Sequence, residues 1–283
     1  MVATPQQRIA GMWKPVSLFL ATFSLASSGC TRTSPVLPNN LGDLIVTIQL
    51  EQKSTSNASY SNIRVELNNS DGTAIENDET HIEVNGTRMQ FKTGEHLYYS
   101  RYAYYYLDDK SLKGFDLLPS KTYRFILVTS DGVRRQVADL NTPVAVSQNQ
   151  FNFVRIPSSP PAAAFSWRDL ASPMRLSIAR SDQIHDAAGH LVSTVGNPDN
   201  EDSLRRSIGP GWLRSRSGQW LLPQRFLISS PKRRLEMLVA WVQAETKAPV
   251  NHPFSRKSSA TAKRQLELTL EWPSATGTGS AEP

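Results

Sequence analysis

The side chains able to do chemistry are few in this 283-residue chain, and they gather in four places. The first holds Asp182, His185, Asp186 and His190. On a helix, Asp186 and His190 would share a face at i, i+4, a spacing that can hold a metal. Two histidines with mobile carboxylates and no third fixed ligand make a poor metal site, however. The segment reads better as a polar loop, and no metal or other cofactor is expected. The second is a run of tyrosines, since six of the eight lie between Tyr98 and Tyr106. On a strand, Tyr98, Tyr102, Tyr104 and Tyr106 face one way, while Tyr99 and Tyr105 join Leu107 on the other. A tyrosine surface suits recognition, because the ring supplies area at low entropy cost and its hydroxyl adapts to a partner. The same pattern also serves if one face packs into a core and the other shields a sheet from water.

The third place is basic and aromatic: Arg205, Arg206, Arg214, Arg216, Arg225, Lys232, Arg233 and Arg234, with Trp212 and Trp220 among them. Such a mix can hold anionic head groups, lipid phosphates, an anionic cell wall or an acidic protein. It can equally be the solvated surface of a basic protein. Charge is divided unevenly along the chain. Residues 30–157 carry 13 Lys/Arg against 14 Asp/Glu, whereas residues 158–283 carry 16 against 11. The fourth place is Cys30, the only cysteine, which excludes an intramolecular disulfide. There is no Gly-x-Ser-x-Gly elbow and no His-Glu-x-x-His pair, and the scattered carboxylates offer no acid/base couple. The chain reads as a non-enzyme.

Cys30 has a context that explains it. Arg8 and Lys14 form a positive stretch with no acidic residue before Cys30, and Pro15 to Ala26 (PVSLFLATFSLA) is apolar. About a dozen apolar residues suit a signal peptide and fall short of the roughly 20 needed to cross a bilayer. Ala26, Ser27, Ser28 and Gly29 then lead into Cys30. This resembles the bacterial lipobox, with Ser27 where leucine is usual. The resemblance implies cleavage before Cys30, a diacylglycerol on its thiol and a further acyl chain on its amine, an anchor stable because it has more than one chain. A plain secretory leader with an incidental cysteine is the alternative. Thr31 as the second mature residue implies, by analogy, an outer-membrane lipoprotein facing the periplasm. An exported chain does not meet nucleic acid. Residues 30–42, polar and proline-containing, read as a short extended tether.

The elements that must position these groups are strands. Leu44, Val46, Ile48 and Leu50 alternate with polar neighbours, and Ile63, Val65 and Leu67 repeat the pattern. Asp71-Gly72, Asn85-Gly86 and Asp131-Gly132 punctuate such runs, and Asx-Gly between alternating segments is a strong hairpin signal. Leu117-Leu118-Pro119-Ser120-Lys121-Thr122-Tyr123 precedes another strand, and its spacing resembles the tyrosine corner of fibronectin type III and related immunoglobulin-like sandwiches. The resemblance implies that the Tyr123 hydroxyl bonds backbone a few residues upstream. Gln150 to Ile156 would end the first module. The Pro/Ser run after it reads as a linker, and alternation returns at Met174–Ile178, Leu235–Trp241 and Leu266–Trp272.

The expected architecture is mainly β: two immunoglobulin-like antiparallel β-sandwiches after a cleaved signal peptide. The expected boundaries are a signal peptide at 1–29, a lipidated tether at 30–42, a first sandwich at 43–157 and a linker at 158–165. A second sandwich follows at 166–273 with a long loop at 197–216, then a disordered tail at 274–283. The expected role is a lipid-anchored binding or scaffolding component of the envelope with a protein partner. An inhibitor or immunity-type protein that masks an enzyme is the alternative, and a catalytic lipoprotein stands third.

Overall fold

Alternating burial builds the first long strands. The computed structural model describes residues 33–55, 58–77, 79–96, 100–188, 190–195, 207–230 and 232–272. A short strand β1 (Thr33–Ser34) precedes β2 (Leu44–Ser54) and β3 (Ser59–Asn69), whose apolar residues Leu44, Val46, Ile48, Leu50, Ile63, Val65 and Leu67 are all buried. Burying each stabilises by roughly 1.5–3 kcal/mol relative to leaving it exposed. The chain continues through β4 (Ala74–Ile75), β5 (His81–Val84), β6 (Thr87–Arg88), β7 (Gln90–His96), β8 (Ser100–Asp108), β9 (Thr122–Val128) and β10 (Arg134–Asn141). Next come β11 (Phe151–Ile156), β12 (Ala162–Trp167), β13 (Met174–His185), β14 (Leu191–Val195), β15 (Ile208–Leu213) and β16 (Gly218–Leu221). A single helical turn α1 (Gln224–Leu227) leads to the long strands β17 (Arg233–Ala248) and β18 (Ser259–Glu271).

All three expected Asx-Gly turns close hairpins, β3 to β4, β5 to β6 and β9 to β10. At the tightest, Val84 pairs with Thr87 and both central residues have positive φ, 49° at Asn85 and 82° at Gly86. That backbone matches the right-handed twist of the flanking strands.

Eleven strands form one mixed sheet in the order β1-β4-β3-β2-β18-β17-β13-β14, with β8 on β3, β7 on β8 and β15 on β13. Two smaller open sheets, β10-β9-β5-β6 and β11-β12-β16, accompany it. The first core lies between the four-stranded sheet (Ile82, Phe125, Leu127, Leu140) and β2, β3 and β8 of the large one. The second lies between the three-stranded sheet (Phe151, Phe165) and β13 and β17 (Leu176, Ile178, Leu238, Val242). Strand β18 serves both, because Ala260 and Ala262 join the first core and Leu266 and Leu268 the second. It also makes the join between the halves, running parallel to β2 from Ser259↔Thr47 to Leu266↔Ser54.

Three expected boundaries fall differently. The segment expected as a linker at 158–165 is a hairpin loop followed by strand, since β12 starts at Ala162 and pairs with β11 from Ile156↔Ala162 to Phe151↔Trp167. Alanine is a weak strand former, and burial of Ala163 and Ala164 overrides that preference here. The expected loop at 197–216 contains β15, held on β13 by Met174↔Leu213 and Arg175↔Trp212. The expected tether is docked from Thr33 onward: β1 pairs with β4, and Leu37 and Leu41 pack on the first core. The signal peptide, Cys30 and the tail at 274–283 lie outside the described residues.

Candidate functional site

Strand β8 divides its tyrosines as alternation requires. Tyr105 is buried in the first core against Phe91, ring centroids 4.9 Å apart, and its hydroxyl donates to the Thr80 carbonyl at 2.9 Å. Tyr102, Tyr104 and Tyr106 point to the opposite face and stay half-buried. Tyr98 and Tyr99 lie outside the described residues.

The outward rings hold one another in place. Tyr102 and Tyr104 stack at 5.6 Å, Tyr104 and Tyr106 meet edge to face at 6.0 Å, and the Arg64 guanidinium sits 4.1 Å over the Tyr104 ring. Across the ladder, Tyr106 lies opposite Gln90 and Arg64, Tyr104 opposite Lys92, and Tyr102 opposite Gly94. Gly94 is needed there, because a Cβ would come within 2.3 Å of the Tyr102 hydroxyl. The Arg64 end is anchored by Glu66 at 2.7 Å. The result is a row of phenols on a sheet, stacked on one another, with the Arg64 guanidinium over its middle ring and Lys92 opposite that residue in the ladder.

The basic and aromatic residues do not gather. Trp212 is 50% exposed on β15 beside Arg175, and Arg214 follows it, also exposed. Trp220 pairs with Phe165 and packs on the second core. Arg234 lies opposite Gln183, at the far end of β13 from Arg175. Eight residues at ~3.3 Å each put that row about 26 Å from Trp212. Arg233 is paired although its side chain stays 51% exposed, its Nε 2.5 Å from an Asp182 carboxylate that is fully buried. Arg180 bonds the other carboxylate oxygen and donates to the carbonyls of Phe226 and Ile228 at 2.7 and 2.8 Å. This clamp ties β13, β17 and α1 together. Arg205 and Arg206 lie outside the described residues.

The Asp/His segment is the turn of the β13–β14 hairpin, not a helix. Asp186 accepts from the backbone N–H groups of Ala188 and His190 at 2.9 and 2.8 Å, and its other oxygen lies 3.2 Å from His190 Nδ1. Asp182 turns away to its arginines. Among the described residues no group of three or more His, Cys, Asp or Glu is placed to hold a metal.

A polar seam that sequence reading missed lies under the Leu117–Tyr123 loop. The Tyr123 hydroxyl accepts from the Leu118 N–H at 3.0 Å and reaches the Asp116 carbonyl at 3.5 Å. Burial holds its phenol above the usual range, opposed by the Leu118 bond. Asp116 accepts from Gln52 and Ser61, both at 2.6 Å, and Arg264 donates to the Leu117 carbonyl. Ser61, Gln52 and Arg264 sit abreast on β3, β2 and β18, all buried. Burial pulls the Arg264 guanidinium below its usual range, opposed by the nearby Asp116 charge. Arg264 falls between Ala262 and Leu266, where one core gives way to the other. Only its even spacing with 262 and 266 could have hinted at this inward position.

Comparison with protein-family models and with curated proteins finds no match to the chain.

Proposed function

We propose that this is a lipid-anchored protein of the bacterial envelope, cut before Cys30 and facing the periplasm from the outer membrane. In this reading it works by presenting a surface to a protein partner, not by catalysis. The observation that carries the proposal is the outward row Tyr102, Tyr104 and Tyr106, ordered by mutual stacking and by Arg64 over Tyr104. Rigid phenols lose little entropy on contact and offer both apolar area and hydrogen bonds. The leader, ending at the chain's sole cysteine, supports the anchor. No helix among the described residues is long and apolar enough to cross a membrane. The bond from the Leu118 N–H to the Tyr123 hydroxyl supports an immunoglobulin-like reading of the first sandwich, and the paired cores support a second such unit.

Two measurements test it. Cys30→Ser should abolish incorporation of a fatty-acid analogue, and label that persists on the variant defeats the anchor. Affinity capture from detergent-solubilised envelopes should recover a multi-subunit complex with the unaltered chain and lose it with Tyr102, Tyr104 and Tyr106 changed to Ser. Identical recovery defeats the tyrosine face, and recovery of a single enzyme replaces scaffolding with masking.

A further inference from the structure

The chain is docked from Thr33 onward, so only Thr31 and Arg32 separate the folded body from Cys30. Three extended Cα steps reach about 11 Å at most, and a layer of lipid head groups takes roughly 5–7 Å of that. In the lipid-anchored reading proposed above, on which this inference rests, the body therefore lies against the bilayer. A single anchored point still lets the body roll. The side it turns to the head groups is then set by whatever else they attract.

One end of the second sandwich is suited to them. The loop after β12 (168–173) and the loop between β15 and β16 (214–217) run side by side. The Trp167 Nε1 donates to the Ser215 carbonyl at 3.1 Å, the Leu170 N–H to the Arg216 carbonyl at 2.9 Å, and the Asp169 N–H to the Ser217 hydroxyl at 3.4 Å. These loops carry Arg168, Arg214 and Arg216, and Arg175 stands opposite Trp212 on the adjoining β13–β15 ladder. All four arginines are exposed, and none forms an ion pair among the described residues. Arg168 gives only its Nε, to the Asn149 carbonyl at 3.2 Å. Asp169 is the one carboxylate in the two loops. Trp212 stands half-exposed among these cations.

We propose that these loops are a second membrane contact, where Arg168, Arg175, Arg214 and Arg216 bind the phosphates of anionic phospholipids and Trp212 enters the head-group layer. A guanidinium bonds phosphate oxygens in pairs. A tryptophan with one wet and one apolar side suits the head-group level of a bilayer. An acidic protein would also complement the arginines. The anchor, however, already holds a bilayer against the body at high effective concentration, whereas a protein must diffuse to it. Seven strand spacings of ~4.8 Å set β15 roughly 34 Å from β1, so the contact is a second point of attachment, and it stops the roll.

The test uses the chain as the cell matures it, purified in detergent and inserted into vesicles. One set is phosphatidylcholine, the other phosphatidylcholine with phosphatidylglycerol, and both hold a lipid with a nitroxide head group as quencher. With Cys30 acylated, a fluorophore on Ser215→Cys is the only label. It should be quenched strongly with phosphatidylglycerol and weakly without. Raising salt from about 0.1 M to about 1 M cuts the Debye length to roughly 3 Å, and quenching should fall several-fold. Changing the four arginines to Ser should lower quenching to the neutral-lipid level, and changing them to Lys, which keeps the charge, should retain most of it. The lipid and salt arms need no change to the arginines, and circular dichroism reports whether the variants fold. Quenching equal in the two lipids, or equal after Arg→Ser in a folded variant, overturns the proposal. So does an absence of quenching. If envelope capture then recovers an acidic protein that the Arg→Ser chain loses, the loops dock that protein instead. Failure of the anchor is a separate result, because the chain with no added thiol would then float with neither vesicle or take the label at Cys30.

Discussion

At the scale of single residues, two side chains make opposite demands on the solvent. The Tyr123 phenol is buried and takes the Leu118 N–H that the corner loop would otherwise strand. Tyr123→Phe removes the hydroxyl alone, and a loss of about 1 kcal/mol is expected, more where the Leu118 N–H stays unpaired. The denaturant midpoint reads it, and an unchanged midpoint would show that the hydroxyl does not hold the corner. Glu83 is bonded by the Arg134 guanidinium, which holds its carboxyl below the ordinary value near 4.5. A folded pKa below the unfolded one adds stability above the unfolded value, and that stability is lost as pH falls through the folded pKa. The stability difference between the unaltered chain and Glu83→Gln should be largest near neutrality and vanish in acid. Urea midpoints from pH 7 to 3 would reveal it, and a difference that does not shrink would place the effect elsewhere.

At the scale of elements, two glycines sit at close approaches of different hardness. A Cβ on Gly94 meets the far end of the Tyr102 side chain, whereas one on Gly209 meets the Leu176 carbonyl oxygen at 2.3 Å. A phenol can swing aside, but a backbone carbonyl in the β13–β15 ladder cannot. Gly94→Ala should leave stability within about 1 kcal/mol of the unaltered chain while dislodging Tyr102 and weakening partner capture. Gly209→Ala should cost more, on the order of 1–3 kcal/mol for a forced backbone shift. Equal losses in thermal unfolding would contradict this reading of the two contacts.

At the scale of the whole molecule, the two cores share strands. Without β18 the first core lacks Ala260 and Ala262 and β2 has an open edge, and the Leu117 carbonyl loses Arg264. The chain should therefore unfold in one transition, with far-ultraviolet circular dichroism and tryptophan fluorescence coincident. The tryptophans from Trp167 onward report the second half, since the first sandwich has none. A fragment ending at Pro157 should not show a cooperative transition by itself. Two resolved transitions, or a fragment that melts cooperatively, would mean that β18 is dispensable to the first core.

Local pattern in the sequence determined most of the strands and all three Asx-Gly turns, because period-two burial and positive φ are properties of a few consecutive residues. Leu44 to Leu50, Asn85-Gly86 and the Leu117–Tyr123 spacing were legible for that reason, and so was the split of Tyr105 from Tyr104 and Tyr106. Tertiary structure alone decided what those strands pair with. The β2–β18 ladder, tied also by the bond from the Val46 N–H to Ser258, joins residues 212 positions apart, and no local signal encodes such a meeting. The same distance explains why the ion pair of Arg233, an exposed cation, was not legible: its partner Asp182 arrives from another strand, 51 residues away. It also explains why the alanines of β12 read as a linker, for an alanine becomes a core residue only when a second sheet closes over it.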